Sequence, residues 1–411
     1  MKKNKLTIFI FVAMLLGIII GSLLHQNNLI ANGKADVAFY TDKISIATKI
    51  FLNLIKMIIG PLVFSSLVVG VAKLGDIKVV GRVGGKTLSW FIFATFISLS
   101  LGMLLVNFFQ PGASMHIPLP NESVKIGVVA ASMNVNDFAS HIFPTSIFKA
   151  MAENEILQII IFSLFFGVAC AAMPDIASPV IKALDAVTHI MLKVTHFVMN
   201  FAPIAVFAAI SSVIAQNGLE VLATFGKLIG EFYLGLFLLW CILILLGFLV
   251  IGKRITKLIY SIKDAVLLAF STASSESAFP KLIQQLERFG CSNKIVSFVL
   301  PLGYSFNLDG SMMYMTFASL FIAQCYHIEL TFAQQLSMLL ILMLTSKGIA
   351  GVPRASLVVI SGALSTFHIP EAGLLLLMGI DQVLDMGRSA TNVVGNAVAT
   401  SVVSKWENEL K

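Results

Sequence analysis

The stretch GIDQVLDMGRSATNVVGNAVATSVV, residues 379–403, decides how the chain reads. It is long and apolar enough to cross a bilayer, yet it carries Asp381, Asp385, Arg388, Asn392 and Asn396. Successive steps of four, three, four and four residues place all five on one slowly drifting stripe of a helix. Ionisable groups at membrane depth are costly, so they face protein or a wet cavity and mark a substrate or ion path. A guanidinium offers a planar fork of donors that fits a carboxylate bidentately. Asp385, one turn away, supplies the charge that suits an ammonium. Together they could hold an acidic amino acid by both kinds of group. The plainer alternative is a structural ion pair between Asp385 and Arg388, three residues apart.

Composition sets the class. The chain has 411 residues, 57% of them hydrophobic and only 12% charged, with mean hydropathy +0.92. A soluble domain carries about twice that charge, so the expected class is an all-α polytopic membrane protein. The net charge of +7 does not call for nucleic acid. Its excess falls in three stretches that would face the cytoplasm: Lys2, Lys3 and Lys5; Lys73, Lys78, Arg82 and Lys86; Lys253, Arg254, Lys257 and Lys263. The stretches near 25–43 and 111–149 are nearly balanced and should be external. Both termini then lie in the cytoplasm. Cys170, Cys241, Cys291 and Cys325 lack CxxC spacing, which argues against a disulfide framework or a metal site.

Outward from the decisive stretch, hydrophobic runs predict an uncleaved first span at Leu6–Leu24 and a second at Ile44–Val71, bent at Pro61. A basic loop over 73–86 follows; its Gly84-Gly85-Lys86-Thr87 fails as a phosphate loop, because Val80 stands where the first glycine belongs. The third span is Leu88–Phe109, then a polar loop at Gln110–Phe148, then spans at Ile156–Ala172, Val180–Ile214 and Val221–Ile251. The fifth is overlong and holds Pro203; the sixth should tilt. No linker divides the chain, so it reads as one membrane domain.

Beyond Lys263 the pattern changes. AVLLAFSTASSESA at 265–278 is two apolar halves, too short to cross alone, broken by Ser271, Thr272, Ser274, Ser275, Glu276 and Ser277. LMLTSKGIAGVPRASLVVI is interrupted at Lys347-Gly348 and again at Gly351-Val352-Pro353. Non-helical backbone at membrane depth survives only inside protein or along a cavity, and a matched pair of broken segments points to a transporter site. Between them, PLGYSFNLDGSMMY places Asn307, Asp309 and Gly310 inside an apolar span. Freed carbonyls beside a carboxylate are the hard oxygen ligands that a small cation takes. A membrane hydrolase is the rival class, with Ser274, Ser275 or Ser277 as nucleophile or Asp309 with Asp385 as an aspartyl pair. No histidine lies near the serines in sequence, and Arg388 beside Asp385 opposes a shared proton. A channel is the third reading; saturable, concentrative uptake separates a carrier from it.

Taken together, STASSES, GYSFNLDGS, TSKGIAGVP and LDMGRSATNVVGN, in that order over about Asp264–Trp406, resemble the dicarboxylate/amino acid:cation symporter family, which includes bacterial proton or sodium glutamate symporters and archaeal aspartate transporters. The first half is similar mainly in its pattern of spans. The resemblance implies a glutamate-transporter-like elevator fold with eight transmembrane helices and two re-entrant helical hairpins, at about 258–290 and 331–366. It implies a homotrimer in the cell membrane. Each protomer would have a fixed scaffold (about 1–86 and 150–215) and a sliding transport part (about 87–110 and 219–404). By position, Arg388 would hold the substrate's side-chain carboxylate with Ser311 nearby, and Asp385 its ammonium. Asn392, Ser275 and the backbone at Val352 would hold the main-chain carboxylate. Ser389 and Gly351 complete that set, and the tip at Gly351-Val352-Pro353 would be the external gate. Cation ligands would come from Thr95, Asn307 and Asp309, with Gly303, Ser305, Ser346 and Asn396 around them. The partners implied are the bilayer and a small acidic amino acid or dicarboxylate, with no nucleic acid, no cofactor and no covalent chemistry.

Departures from the family pattern refine these expectations. Sodium-coupled relatives place a carboxylate where this chain has Asn396, whereas proton-coupled glutamate carriers place asparagine there; the coupling ion is therefore expected to be H+ rather than Na+. Met315 replaces the glutamate that carries the proton in animal relatives, and Glu276 at the first tip is the substitute candidate, the plain alternative being a backbone cap. Ala273 stands where archaeal relatives carry arginine, and Arg354 where many members have a small residue. Carriers of C4-dicarboxylates lack an acid at the position of Asp385, so its presence here favours glutamate or aspartate.

Overall fold

A computed structural model describes residues 4–31, 34–74, 77–113, 143–218, 225–346 and 355–411. The second tip, with Lys347, Gly348, Gly351, Val352 and Arg354, lies outside the described residues, as do Lys2 and Lys3 and most of the polar loop before Phe143. Among the described residues the architecture is all-helical, with one isolated bridge between Cys291 and Leu410.

The helices are α1 (Asn4–Ala31), α2 (Lys34–Leu74), α3 (Ile77–Phe109), α4 (Ile147–Glu153), α5 (Ile156–Ala172), α6 (Pro174–Val198), α7 (Ala202–Asn217) and α8 (Gly226–Ile251). They continue as α9 (Arg254–Thr272), α10 (Ser275–Phe289), α11 (Asn293–Phe306), α12 (Asp309–Cys325), α13 (Phe332–Thr345), α14 (Ala355–Thr366), α15 (Leu374–Met378) and α16 (Asp381–Trp406). Five stretches of the described residues are long and apolar enough to cross a membrane: Ile8–Gln26, Tyr40–Lys73, Lys78–Phe109, Pro174–Gln216 and Gly226–Ile251. Ile156–Ala172 and Phe332–Thr345 are shorter apolar helices.

Three boundaries correct the sequence reading. The balanced stretch near 25–43 is not a long loop, because α1 continues to Ala31 and α2 starts at Lys34. Helix also resumes at Ile77, so Lys78, Arg82 and Lys86 project from α3 rather than from a loop. Polar residues such as lysine and aspartate are no obstacle to helix outside the apolar core, and hydropathy cannot register them. The overlong fifth span is two helices, α6 and α7, joined by a 3-10 turn at Met199–Phe201. Pro203 explains the join, since it lacks the N–H that a continuing helix needs.

Packing sorts the helices into two groups. α2 lies against α5, α6 and α7, and α1 lies against α7. α16 is enclosed by α8, α9, α10, α11 and α12, while α3 packs on α12. The groups meet where α2 crosses α11 and α10. From Gly387 to Ser404 every residue of α16 is buried. A helix that carries polar side chains and is buried all round must satisfy them internally, which makes it the place to look for a site.

Candidate substrate and ion site

Arg388 sits inside this packing with 1% of its surface exposed. Its Nη2 lies 3.0 Å from Asp381 Oδ1 and 3.1 Å from Asp385 Oδ1. Its guanidinium carbon stands 3.9 Å from the centre of the Tyr314 ring, a cation–π contact, and the Tyr314 hydroxyl donates to Asp381 Oδ1 at 3.2 Å. The structural ion pair weighed in the sequence is therefore real, but it is incomplete. Both carboxylates share one nitrogen. Nε and Nη1 are buried and have no hydrogen-bond partner among the described residues. Those two nitrogens carry three of the five guanidinium N–H groups. Leaving buried donors unmet is expensive, more so for a charged group, and the fork has the capacity to take a further acceptor. Asp385 is the open side of the cluster: its side chain is 30% exposed, against 2% for Arg388 and 3% for Asp381. The Ser389 hydroxyl donates to Asp385 Oδ1 at 3.5 Å.

Asn392 is already engaged. Its Oδ1 accepts from Gly310 N at 2.9 Å and Ser311 N at 3.3 Å, and its Nδ2 donates to Ser311 Oγ at 3.2 Å. The amide thus satisfies the free N–H groups at the start of α12 and fixes Ser311 against α16. That start exists because the backbone breaks at Asn307-Leu308, between α11 and α12, as the NLDGS motif led one to expect.

One turn further along α16 a second polar cluster forms. Asp309, fully buried, accepts from Ser98 Oγ at 3.2 Å and Asn307 Nδ2 at 3.0 Å. Asn307 Nδ2 also reaches Asn396 Oδ1 at 3.4 Å. Asn307 Oδ1 and Asn396 Nδ2 are buried without partners among the described residues. Thr95, fully buried, lies one turn before Ser98 on α3. The cluster can form only because Gly395 and Gly303 lack side chains: a Cβ at Gly395 would strike Asp309 Oδ2, and one at Gly303 would strike Asn396 Oδ1. Ser305 is half-buried near the end of α11. Ser346 is turned to its own helix, donating to the carbonyl of Met343 at 3.0 Å.

The first tip is stitched to itself. Ser274 caps α10, accepting from Ser277 N at 3.3 Å, and the Thr272 and Ser277 hydroxyls are 2.8 Å apart. Ala273 takes the left-handed conformation (φ 48°) that reverses the chain. The Tyr304 hydroxyl donates to the Ser275 carbonyl at 3.0 Å, holding the tip to α11. Glu276 is half-buried there, in the first turn of α10. Of the serines weighed as nucleophiles, Ser274 and Ser277 are bonded within the tip, and Asp309 and Asp385 lie in separate clusters rather than forming an aspartyl pair. The sequence reading named Asp381 on the polar stripe without giving it a role, and it passed over Tyr314 and Ser98. Their signals were present: Asp381 is two turns from Arg388 on one face, and Ser98 is one turn from Thr95.

A family model described as the sodium:dicarboxylate symporter family matches residues 6–406. The chain is 41% identical to the proton/sodium-glutamate symport protein of Bacillus caldotenax, over 100% of this chain and 96% of that protein. It is 40% identical to the proton/glutamate-aspartate symporter of Escherichia coli (strain K12), over 99% and 94%. It is 42% identical to the C4-dicarboxylate transport protein of Laribacter hongkongensis (strain HLHK9), over 88% and 83%.

Proposed function

We propose, from the premise that the chain belongs to the sodium:dicarboxylate symporter family, that it is a secondary-active symporter for glutamate or aspartate, driven by a proton gradient. The observation that carries this reading is the buried Arg388 fork with Nε and Nη1 unpaired, beside the partly open Asp385. The substrate's side-chain carboxylate takes the free guanidinium donors and its ammonium takes Asp385. Ser311 assists at the side-chain carboxylate; Asn392, Ser275 and the backbone at Val352 would hold the main-chain carboxylate, with Ser389 and Gly351 completing the set.

Charge balance supports coupling to a cation. Arg388 with Asp381 and Asp385 carries one net negative charge, and an acidic amino acid adds another. Two like charges in a poorly hydrated pocket repel strongly, so a proton or cation must arrive with the substrate. Glu276 is the proton carrier in this reading; Asp309, Asn307, Thr95, Gly303, Ser305, Ser346 and Asn396 form the alternative cation region. The fold reading that goes with it has eight membrane helices: α1, α2, α3, α5, α6 with α7, α8, α11 with α12, and α16. The pairs α9–α10 and α13–α14 are re-entrant hairpins. The group around α2 is the scaffold of a homotrimer in the cell membrane, with both termini cytoplasmic, and the group around α16 rides against it as an elevator.

The test is radiolabelled uptake into proteoliposomes with a proton or a sodium gradient imposed separately. A proton gradient alone drives glutamate or aspartate accumulation; strict sodium dependence with indifference to pH overturns the choice of ion. The 42% identity to a C4-dicarboxylate transport protein keeps a second substrate in view. Succinate uptake that survives Asp385→Ala, with glutamate never transported, would establish that alternative.

A further inference from the structure

α9 begins where the apolar run of α8 stops. Only Gly252 and Lys253 separate Ile251, the end of α8, from Arg254, the start of α9. Gly252 breaks the helix there with a positive φ of 62°, a conformation that suits glycine. One face of α9 is core: Ile255, Leu258, Ile262, Ala265, Leu268 and Ala269 are all buried. The outward face begins at Lys253 and Lys257, passes Tyr260 and Lys263, and continues to Leu267 and Phe270. Steps of four, three, three, four and three keep these six on one stripe.

The stripe changes character along its length. Lys253, Lys257, Tyr260 and Lys263 are exposed, Tyr260 by 70%, whereas Leu267 and Phe270 are half-buried and apolar. That is the order of a helix passing from lipid headgroups into acyl chains, with lysine and tyrosine at the polar level and apolar residues beyond. Lys263 Nζ stands 3.9 Å from the centre of the Tyr260 ring, a cation–π contact that holds the ammonium along the stripe. The neighbouring charges are used within the protein. Arg254 donates to the Lys411 carbonyl and lies 5.5 Å from the centre of the Phe289 ring. Asp264, the acid of α9, is paired at 3.8 Å with Lys281 of α10. No ion pair engages Lys253, Lys257 or Lys263 among the described residues.

We propose that the stripe Lys253, Lys257, Tyr260 and Lys263 binds the headgroups of anionic phospholipids in the leaflet where α9 begins. Ten residues of helix span about 15 Å, so three ammoniums face a short row of lipid phosphates with Tyr260 among them. A phosphatidylglycerol headgroup brings net negative charge, whereas phosphatidylcholine carries its own cation and gains little. Each lysine beside an anionic membrane surface contributes about fivefold in affinity. The occupant is a lipid rather than a soluble anion because Leu267 and Phe270 continue the stripe as an apolar path for its acyl chains. α9 packs on α16 and leads to the first tip, so a bound headgroup fixes the depth of that arm in the bilayer. This goes beyond the symport reading and stands without it.

The experiment uses the whole chain in a non-ionic detergent, titrated with phosphatidylglycerol or phosphatidylcholine. Bound lipid is counted by native mass spectrometry, and thermal midpoints are followed on the same samples. The stripe variant Lys253→Gln/Lys257→Gln/Lys263→Gln is compared with its triple Lys→Arg counterpart and with Lys49→Gln/Lys182→Gln/Lys193→Gln, which removes three exposed lysines elsewhere. Wild type, the arginine variant and the charge-matched control should prefer phosphatidylglycerol at least about tenfold, and the stripe variant should lose that preference. Lys257→Gln and Lys263→Gln alone should each lose about fivefold, which keeps the test open if the triple variant folds poorly. Tyr260→Leu should weaken retention of the lipid severalfold, and salt near 0.5 M should weaken it throughout by screening. A stripe variant that keeps the wild-type preference overturns the proposal, as does a control that loses as much, because net charge would then explain the effect. Inorganic phosphate that raises the wild-type midpoint as far as phosphatidylglycerol does would make this a soluble-anion site and overturn the lipid assignment. No readout involves transport, so failure here leaves the symport reading untouched, and failure of that reading leaves this one.

Discussion

The two polar clusters on α16 are built from the same helix face one to two turns apart, yet they are finished differently. Around Arg388 the groups are charged, and the guanidinium keeps Nε and Nη1 without acceptors. Around Asn396 the groups are mostly neutral amides and hydroxyls that bond one another, with Asp309 the carboxylate at the centre. The first cluster is short of acceptors for a charged group, whereas the second leaves one neutral amide oxygen and one neutral amide nitrogen, Asn307 Oδ1 and Asn396 Nδ2, without partners among the described residues. In the proposed function that contrast is the reason for giving the anionic end of a substrate to the first. The second ties the broken ends of α11 and α12 to each other and to α16 through the amide of Asn307.

The largest expected effect comes from destroying the first cluster. Arg388→Ala leaves Asp381 buried without its cation, and breaking a buried pair costs about 3–5 kcal/mol. The same change removes the fork for the substrate, so acidic amino-acid binding should fall at least about a hundredfold, at about 1.4 kcal/mol per factor of ten. Arg388→Lys separates the two consequences. It restores a charge for Asp381 but not the planar fork, so stability should recover more than uptake does. Binding by isothermal titration and thermal midpoints on the same preparations check this. Equal recovery of both would mean that Arg388 is a structural ion pair and nothing more.

How much of this contrast could be read in the sequence depends on the kind of contact. The five polar positions of α16 were legible because a helix repeats at 3.6 residues, so spacing alone gives a face. The break at Asn307-Leu308 was legible because amide, carboxylate and glycine interrupt an otherwise apolar run. Asp381 and Tyr314 were not recognised as holders of Arg388, because whether an aspartate seven residues away reaches an arginine, as well as the one three residues away, depends on rotamers and on α12. Ser98 was missed for a similar reason: its bond to Asp309 joins α3 to α12 across 211 positions of sequence. Helix ends were read poorly at Ala31, Lys34 and Ile77, because hydropathy marks where a span is apolar rather than where hydrogen bonding stops. The lesson is that periodicity reveals faces, whereas partners come from tertiary packing.

A middle-sized effect should follow from making the second cluster resemble the first. Asn396→Asp places a carboxylate beside Asn307 and Asp309, where Asn396 Oδ1 now lies 3.4 Å from Asn307 Nδ2. Two carboxylates so close repel, so the variant should be less stable than wild type in potassium chloride. A sodium ion would relieve that repulsion and supply an acceptor-hungry centre for the freed oxygens. Sodium chloride should then raise the variant's thermal midpoint by a few degrees over potassium chloride, with wild type responding less. A wild type that is stabilised by sodium as strongly as the variant would erase the distinction between the clusters and favour sodium as the coupling ion.

The smallest expected effect lies at the far end of α16, where a third group of charges shows what a merely structural cluster looks like. Glu407 takes Arg82 through Nη2 at 2.8 Å and Nε at 3.2 Å, and Lys86 Nζ at 2.7 Å. Lys86 also donates to the Trp406 carbonyl at 3.0 Å, and Trp406 packs edge-on against buried Trp90. Unlike Arg388, this cluster is complete. Burial alone would raise the Glu407 carboxyl, but hydrogen bonds from Arg82 and Lys86, together with their charges, outweigh it and hold the group below its ordinary value. A carboxyl lowered on folding contributes stability above its unfolded value of about 4.3, and that contribution is lost as pH falls through the folded value. Arg82 is more than half exposed, so solvent and salt screen much of the pair. Arg82→Gln should therefore lower the thermal midpoint by only about 1 °C at pH 7, less in high salt, and by nothing measurable once Glu407 is protonated in both proteins. A loss of several degrees, or one that persists at low pH, would mean that Arg82 holds α3 by packing rather than by charge.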